Sequence, residues 1–156
     1  MYYDLFTHKI TNLVLISTDS GLCEIQFGHK SDIDPSWIRS REKLEEVSSQ
    51  LTEYFNGDRT TFSILLNAKG TEFQKQVWDE LYKIPFGELI SYQNLANRIN
   101  NPKAVRAVGA ANGKNPIPII VPCHRVIGSN GKLTGFAGGL GLKEKLIKLE
   151  RGGTFL

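Results

Sequence analysis

The sequence predicts an α/β (α+β) fold in two parts. Residues 1–69 read as a small antiparallel sheet with a helix, and residues 70–156 as a mainly helical, winged helix-turn-helix-like domain. Three observations predict this. Short β-branched or alternating runs lie early in the chain, apolar stripes at helical spacing follow them, and the character changes near Ala68-Lys69-Gly70.

In the first part, "HKITNLVLIST" and "GLCEIQFG" flank Asp19-Ser20-Gly21, a turn signal that predicts a hairpin. Cys23, Ile25 and Phe27 alternate with Glu24 and Gln26, which assigns Cys23 to the core face as a small hydrophobe. Trp37 to Phe55 carries Leu44, Val47, Leu51 and Phe55 at helical spacing and ends at Gly57. "TTFSILLN" then reads as a returning strand.

In the second part, Thr71 and Gln74 form a capping box ahead of a helix whose stripe is Phe73, Val77 and Leu81, ending before Pro85. "SYQNLANRI" predicts a short helix with Leu95, Ala96 and Ile99 inward. Asn101-Pro102 reads as the start of the next helix, "KAVRAVGAAN", which ends at Asn112-Gly113. Two short helices joined by a tight turn, the second bearing Lys103 and Arg106, have a helix-turn-helix outline. Ala104, Ala107, Gly109, Ala110, Ala111 and Gly113 leave that second helix nearly bare. Such a surface suits either close approach to a flat partner or tight helix packing. The last helix, "LKEKLIKLE", turns Leu142, Leu146 and Leu149 inward and stops at Gly152-Gly153.

Charge separates the two parts further. Residues 1–70 carry 7 Lys or Arg against 10 Asp or Glu, whereas residues 71–156 carry 12 against 6. No acid occurs from residue 89 to 143, while Arg98, Lys103, Arg106, Lys114, Arg125, Lys132 and Lys143 fall inside that window. A long basic, acid-free segment is what a surface facing phosphates requires. No apolar run reaches the ~20 residues of a membrane span, and "MYYDLFTHKI" lacks the pattern of a signal peptide. With two cysteines the chain has no disulfide framework, so a cytoplasmic protein with free thiols and no membrane contact is expected, nucleoid-associated if prokaryotic.

The stretch "IIVPCHRVI" concentrates reactive residue types. Asn115-Pro116-Ile117-Pro118 forms a rigid rail leading to Cys123, since the prolines remove donors and hold their predecessors extended. A helical turn after Pro122, with His124 and Arg125 beside the sulfur, favours thiolate over thiol, and thiolate is the nucleophile. The other reading of Cys123 is an inert buried cysteine. His124 adjoins Cys123, so their side chains diverge and a water relay is expected between them. An orienting acceptor for the other ring nitrogen must come from outside the acid-free window. Glu150, at the edge of the last helix's buried face, is a candidate. Gly128, Gly131, Gly135, Gly138, Gly139 and Gly141 mark a loop that either folds over a flat ligand or merely links elements, with Phe136 favouring the former. Neither phosphate-loop nor dinucleotide spacing is present. Cys23, Cys123, His8, His29 and His124 make no CxxC or HxxxH pair, so neither a metal nor another cofactor is expected.

These residues resemble the O6-alkylguanine-DNA alkyltransferase family of single-use DNA repair proteins. The match runs through "GTEFQKQVW", "IPFGELISYQNLA", "NPKAVRAVGAAN", "NPIPIIVPCHRVIGSNGKLTGFAGG" and "LKEKLIKLE", covering nearly all of residues 70–151. The resemblance implies that Cys123 accepts the alkyl group, activated through a water by His124, which Glu150 orients. It implies that Asn115 braces the turn before the nucleophile and that Tyr92 hydrogen-bonds the flipped guanine. Arg106 is then the finger that fills the gap in the duplex. Ser91, Lys103, Ala104, Ala107, Gly109 and Arg125 become further DNA contacts, and Pro118, Val126, Phe136, Gly138 and Lys143 form the base pocket. The implied partner is double-stranded DNA containing O6-alkylguanine, met by a monomer through the minor groove. Phe136 replaces a tyrosine found in some relatives, and no zinc-binding Cys/His quartet can be assembled. Two competing classes are a module that binds damaged bases without transfer and a cysteine hydrolase. The hydrolase needs direct His–sulfur reach and an oxyanion hole, for which adjacent Cys-His is poor geometry.

Overall fold

The computed structural model describes residues 1–28 and 33–152. It divides into two compact units, Met1–Lys69 and Gly70–Leu156. Among the described residues no helix is long and apolar enough to cross a membrane.

The first unit is a four-stranded sheet in the order β3-β2-β1-β4 with one helix. Strand β1 (Tyr2–Thr7) pairs antiparallel with β2 (Asn12–Thr18), and β2 with β3 (Gly21–Phe27), so the predicted hairpin forms around Asp19-Ser20. The sheet is mixed rather than antiparallel, because the two-residue β4 (Ile38–Arg39) runs parallel to β1. Helix α1 (Arg41–Phe55) starts later than its apolar periodicity indicates. Ser40 caps it by accepting from Lys43 N, and Ile38–Arg39 is spent in β4. Val14, Leu15 and Ile16 of β2 and Leu44, Leu51 and Tyr54 of α1 are among the fully buried side chains of the core.

Two expectations in this unit are corrected. Cys23 is only half-buried, because β3 bulges at the register shift between Ile16 and Ser17. Ile16 opposes Glu24 and Ser17 opposes Leu22, leaving Cys23 as the extra residue and turning Leu22 into the core instead. The second correction concerns "TTFSILLN". It forms no regular strand; a single parallel bridge joins Leu66 to Leu22, with Asn67 N donating to Leu22 O at 2.7 Å.

The second unit packs α2 (Glu72–Tyr82), α3 (Tyr92–Arg98), α4 (Val105–Gly113) and α5 (Leu140–Glu150) around a two-stranded parallel ladder. That ladder pairs β5 (Ile90–Ser91) with β6 (Val126–Ile127). The Thr71–Gln74 capping box closes in both directions, at 3.1 and 3.0 Å. Trp78 of α2 donates its indole N–H to the Ala111 carbonyl of α4 at 2.8 Å, a buried bond tying the two helices together. Helix α4 begins at Val105 rather than at Asn101-Pro102, since Asn101 to Ala104 closes as a separate turn through Ala104 N to Asn101 O. In α5 the fully inward residues are Lys143, Leu146 and Glu150, whereas Leu142 and Leu149 are only half-buried. A lysine and a glutamate therefore occupy helical positions that hydropathy reserves for leucine. Gly153, part of the expected helix stop, lies outside the described residues.

Candidate active site

Cys123 is carried on a three-residue 3-10 turn, Cys123–Arg125, between the proline rail and β6. Three local devices set its position. Asn115 donates from Nδ2 to Val121 O at 2.8 Å and accepts from Ile117 N at 3.0 Å, stapling the rail at both ends. Ile119 sits at φ +76°, a left-handed conformation that a β-branched residue adopts only when its surroundings impose it. Pro122, at φ −81° and ψ 67°, makes an inverse γ-turn closed by Cys123 N to Val121 O at 2.8 Å. The sulfur is thereby held in a buried wall, 5% exposed.

Behind it lies a buried polar cluster. His124, wholly buried, shares a 2.6 Å hydrogen bond between Nε2 and Glu150 Oε2. Arg125 donates from Nε to Glu150 Oε1 at 2.8 Å and from Nη2 to Oε2 at 3.0 Å, and its Nη1 reaches the Ile84 carbonyl at 2.6 Å. Gly87 N adds a fourth donor to the carboxylate, at 3.2 Å to Oε1. Burial alone pushes Glu150 up, but the hydrogen bonds and charge supplied by His124 and Arg125 hold it well below the usual carboxylate range. Burial pulls His124 down against the pull of Glu150, so the ring is neutral near pH 7. An ionised carboxylate can only accept, so Nε2 carries the proton and Nδ1 is the basic nitrogen. Nδ1 is buried and has no hydrogen-bond partner among the described residues.

The electrostatics around the thiol differ from the sequence-based expectation. Arg125 is committed to Glu150 and His124 is neutral, so neither supplies the cation. Lys143 does: wholly buried, its ammonium donates to Val126 O and Thr134 O, each at 2.7 Å, and its charge opposes the upward push of burial on Cys123. A hydrogen bond from the Asn115 side chain acts in the same direction, yet burial dominates and the resting thiol lies above its ordinary value. The protonated thiol is the resting form, so reaction requires a base.

Other predicted residues are placed around this centre. Tyr92 opens α3 directly after β5, and its hydroxyl accepts from Thr134 Oγ1 at 3.0 Å. Ser91 uses its hydroxyl as the N-cap of α3, accepting from Asn94 N at 3.0 Å. Gly109 lies beside the Tyr92 ring, where a Cβ would stand at 3.8 Å, an ordinary van der Waals contact. Arg106, Ala107, Ala110 and Gly113 are exposed on one side of α4, opposite the buried Val108, Ala111 and Asn112. Lys103 is exposed just ahead of that helix, and Ala104 is half-buried as its first cap. Pro118 and Val126 are buried, while Phe136 and Gly138 are half-buried in the glycine loop. Arg125 is a correction. Only 6% exposed, with Nε, Nη1 and Nη2 each donating to an internal acceptor, it is turned inward and is not presented as a phosphate contact.

Sequence reasoning missed Gly87, Ile84 and Thr134. "IPFGE" signals a turn, but nothing local reveals that the Gly87 amide meets a carboxylate 63 positions away, or that the Ile84 carbonyl meets a guanidinium 41 positions away. Among the described residues no group of three or more His, Cys, Asp or Glu side chains is placed to hold a metal ion. His29 lies outside those residues.

Residues 1–68 match the family model described as 6-O-methylguanine DNA methyltransferase, ribonuclease-like domain. Residues 72–152 match the model described as 6-O-methylguanine DNA methyltransferase, DNA binding domain. The chain is 50% identical over 153 residues to a methylated-DNA–protein-cysteine methyltransferase of Methanosarcina acetivorans, covering 96% of this chain and 98% of the other. It is 42% identical over 162 residues to the inducible methylated-DNA–protein-cysteine methyltransferase of Bacillus subtilis, covering 97% and 90%. Among solved structures, that of Mycobacterium tuberculosis OGT in complex with DNA matches with a TM-score of 0.91 and 41% identity, covering 97% of this chain and 94% of the other.

Proposed function

The chain belongs to the 6-O-methylguanine DNA methyltransferase family, and on that premise we propose that it repairs DNA by moving an alkyl group irreversibly onto its own Cys123. The substrates are O6-alkylguanine and O4-alkylthymine in double-stranded DNA, and the protein acts once, as a monomer without a cofactor. It works in the cytoplasm, at the nucleoid if the source is prokaryotic. The observation that carries this reading is the buried Cys123 on a braced turn, next to a neutral His124 whose Nε2 is tied to Glu150.

Residues 70–156 bind the DNA and accept the alkyl group, and residues 1–69 form the accompanying sheet-and-helix domain. Binding begins with phosphate contacts along the basic segment, with Lys103 and Ser91 at its margin. The exposed small-residue side of α4, Ala107 and its neighbours, enters the minor groove, and Arg106 occupies the space left when the damaged base rotates out. The base enters a pocket lined by Pro118, Val126, Phe136 and Gly138, with Lys143 holding Val126 and Thr134 in place behind it. His124 Nδ1 takes the thiol proton through a solvent molecule, because side chains of adjacent residues diverge. The thiolate then attacks the alkyl carbon in line. A carbon–sulfur bond forms, the carbon–oxygen bond to the base breaks, and the electron pair leaves with the base. The Tyr92 hydroxyl offsets that charge by a hydrogen bond. A thioether is stable, so the protein does not turn over.

Mass spectrometry after mixing with a duplex carrying one O6-methylguanine tests the reading. The expected result is one added methylene per protein, on the peptide containing Cys123, and none in a Cys123→Ser variant that still binds the duplex. Tight binding without mass gain supports a recognition module instead, and lesion loss with unmodified protein points to a turning-over enzyme. A single-stranded competitor and a sedimentation run test the duplex and monomer parts.

A further inference from the structure

Arg125 stands next to His124 in the sequence and, among the described residues, is the only arginine in the buried polar set. Its guanidinium spans Glu150 with Nε on one oxygen and Nη2 on the other, at 2.8 and 3.0 Å, and anchors its free corner on the Ile84 carbonyl at 2.6 Å. The Phe86 ring covers it at 5.8 Å. Such a two-point fork fixes the plane of a carboxylate as well as its charge. The plane matters here because Oε2 receives both Arg125 Nη2 and His124 Nε2, so the guanidinium determines where the second lone pair points. Glu150 also ends α5, where the helix dipole disfavours a carboxylate, and a buried cation opposite it offsets that cost.

We propose that Arg125 is a positioning residue for alkyl transfer, holding Glu150 in the orientation that places the His124 proton on Nε2 and leaves Nδ1 as the base for Cys123. This rests on the alkyl-transfer reading of the site, and it replaces the expectation that Arg125 touches DNA. The charged and titratable groups facing His124 are Glu150 and Lys143 from α5 and Arg125 from its own turn. Removing the Arg125 cation frees the carboxylate to rotate. It also removes the positive neighbour that disfavours a charged imidazole.

The test is the single-turnover rate of methyl appearance on Cys123, followed by mass from about pH 5.5 to 9, for wild type, Arg125→Lys and Arg125→Met. Wild-type transfer establishes the parent reading by itself; a wild type that transfers nothing sinks that reading and leaves Arg125 without a reaction to position. Given transfer, Arg125→Met is expected to lose at least about tenfold in rate at pH 7, with its acid limb moved to higher pH and part of the rate regained near pH 9. Arg125→Lys, which keeps charge and loses the fork, is expected to keep the acid limb while its plateau falls. Both are expected to bind the methylated duplex with unchanged salt dependence, since a lost phosphate contact lowers the slope by about one. Unchanged profiles, or a lowered salt slope with unchanged chemistry, overturn the proposal. Should either variant fail to fold, nitrogen-15 NMR of wild-type histidine decides: His124 as the Nε2–H tautomer is expected, and Nδ1–H overturns it.

Discussion

Gly87 and Glu150, 63 positions apart, meet twice: the Gly87 amide donates to Glu150 Oε1 at 3.2 Å, and a Cβ on Gly87 would lie 3.2 Å from the Glu150 carbonyl oxygen. Gly87 also has φ +82°, where side chains are strained. Gly87→Ala is therefore expected to cost about 1–2 kcal/mol in a denaturant titration, and to slow transfer by displacing the carboxylate. A variant as stable and as fast as wild type shows that the 85–88 turn has slack.

Acid sensitivity follows from the same cluster. Burial depresses His124 below 6.5, so the unfolded chain binds its proton first and native stability falls as pH drops below about 6.5. Glu150 is also depressed, held down by its donors despite burial, and its contribution is lost only as pH falls below about 4.5. Each proton makes the slope at most about 1.4 kcal/mol per pH unit. Urea melts across pH are expected to show the upper loss in wild type and not in His124→Gln, with the lower loss in both. An upper loss that survives the substitution must be assigned to another group.

Lys143→Met leaves the Val126 and Thr134 carbonyls without their ammonium donor and removes the cation facing Cys123. A stability loss of about 1–3 kcal/mol is expected for each acceptor left unmet. The reaction of Cys123 with iodoacetamide is also expected to move to higher pH. An unmoved alkylation profile would show that Lys143 is purely structural.

Arg106 projects from the open side of α4, away from the buried Val108, Ala111 and Asn112. Arg106→Ala is expected to change the folding free energy by less than about 0.5 kcal/mol, as surface substitutions do. Duplex affinity is expected to weaken and its salt slope to fall by about one. Fluorescence anisotropy at several salt concentrations reads both. An unaltered affinity and slope rule out Arg106 as a contact to the duplex.

Much of this protein is legible where a bond closes within a few residues. The Thr71–Gln74 box, the Ser91 cap, the hairpin around Asp19-Ser20 and the turn after Pro122 each have donor and acceptor in one short window. Cys123, His124 and Glu150 could be singled out because their residue types are costly where they stand. Proline and histidine escort a thiol, and a carboxylate ends a helix against its dipole.

What the chain alone could not decide was which partner each charge would take and which face each strand residue would present. Arg125 reads as a cation beside the sulfur and, by the resemblance, a DNA contact until Glu150, 25 positions on, and Ile84, 41 positions back, close around it. Lys143 is assigned to the base pocket by the resemblance, but only the fold brings two carbonyls from different segments onto its ammonium. Cys23 reads as core until a bulge shifts β3 by one residue and gives Leu22 its place. Local hydrogen bonding and side-chain period are set by neighbours in sequence, so the sequence by itself determined that the helices form, the Thr71–Gln74 cap and the reactive turn, though not where α1 and α4 begin. The charge pairing and the burial of Arg125, Lys143 and Glu150 depend on groups that only the folded chain brings within 3 Å. The tertiary structure therefore decided which of the basic residues face outward and which one faces the thiol.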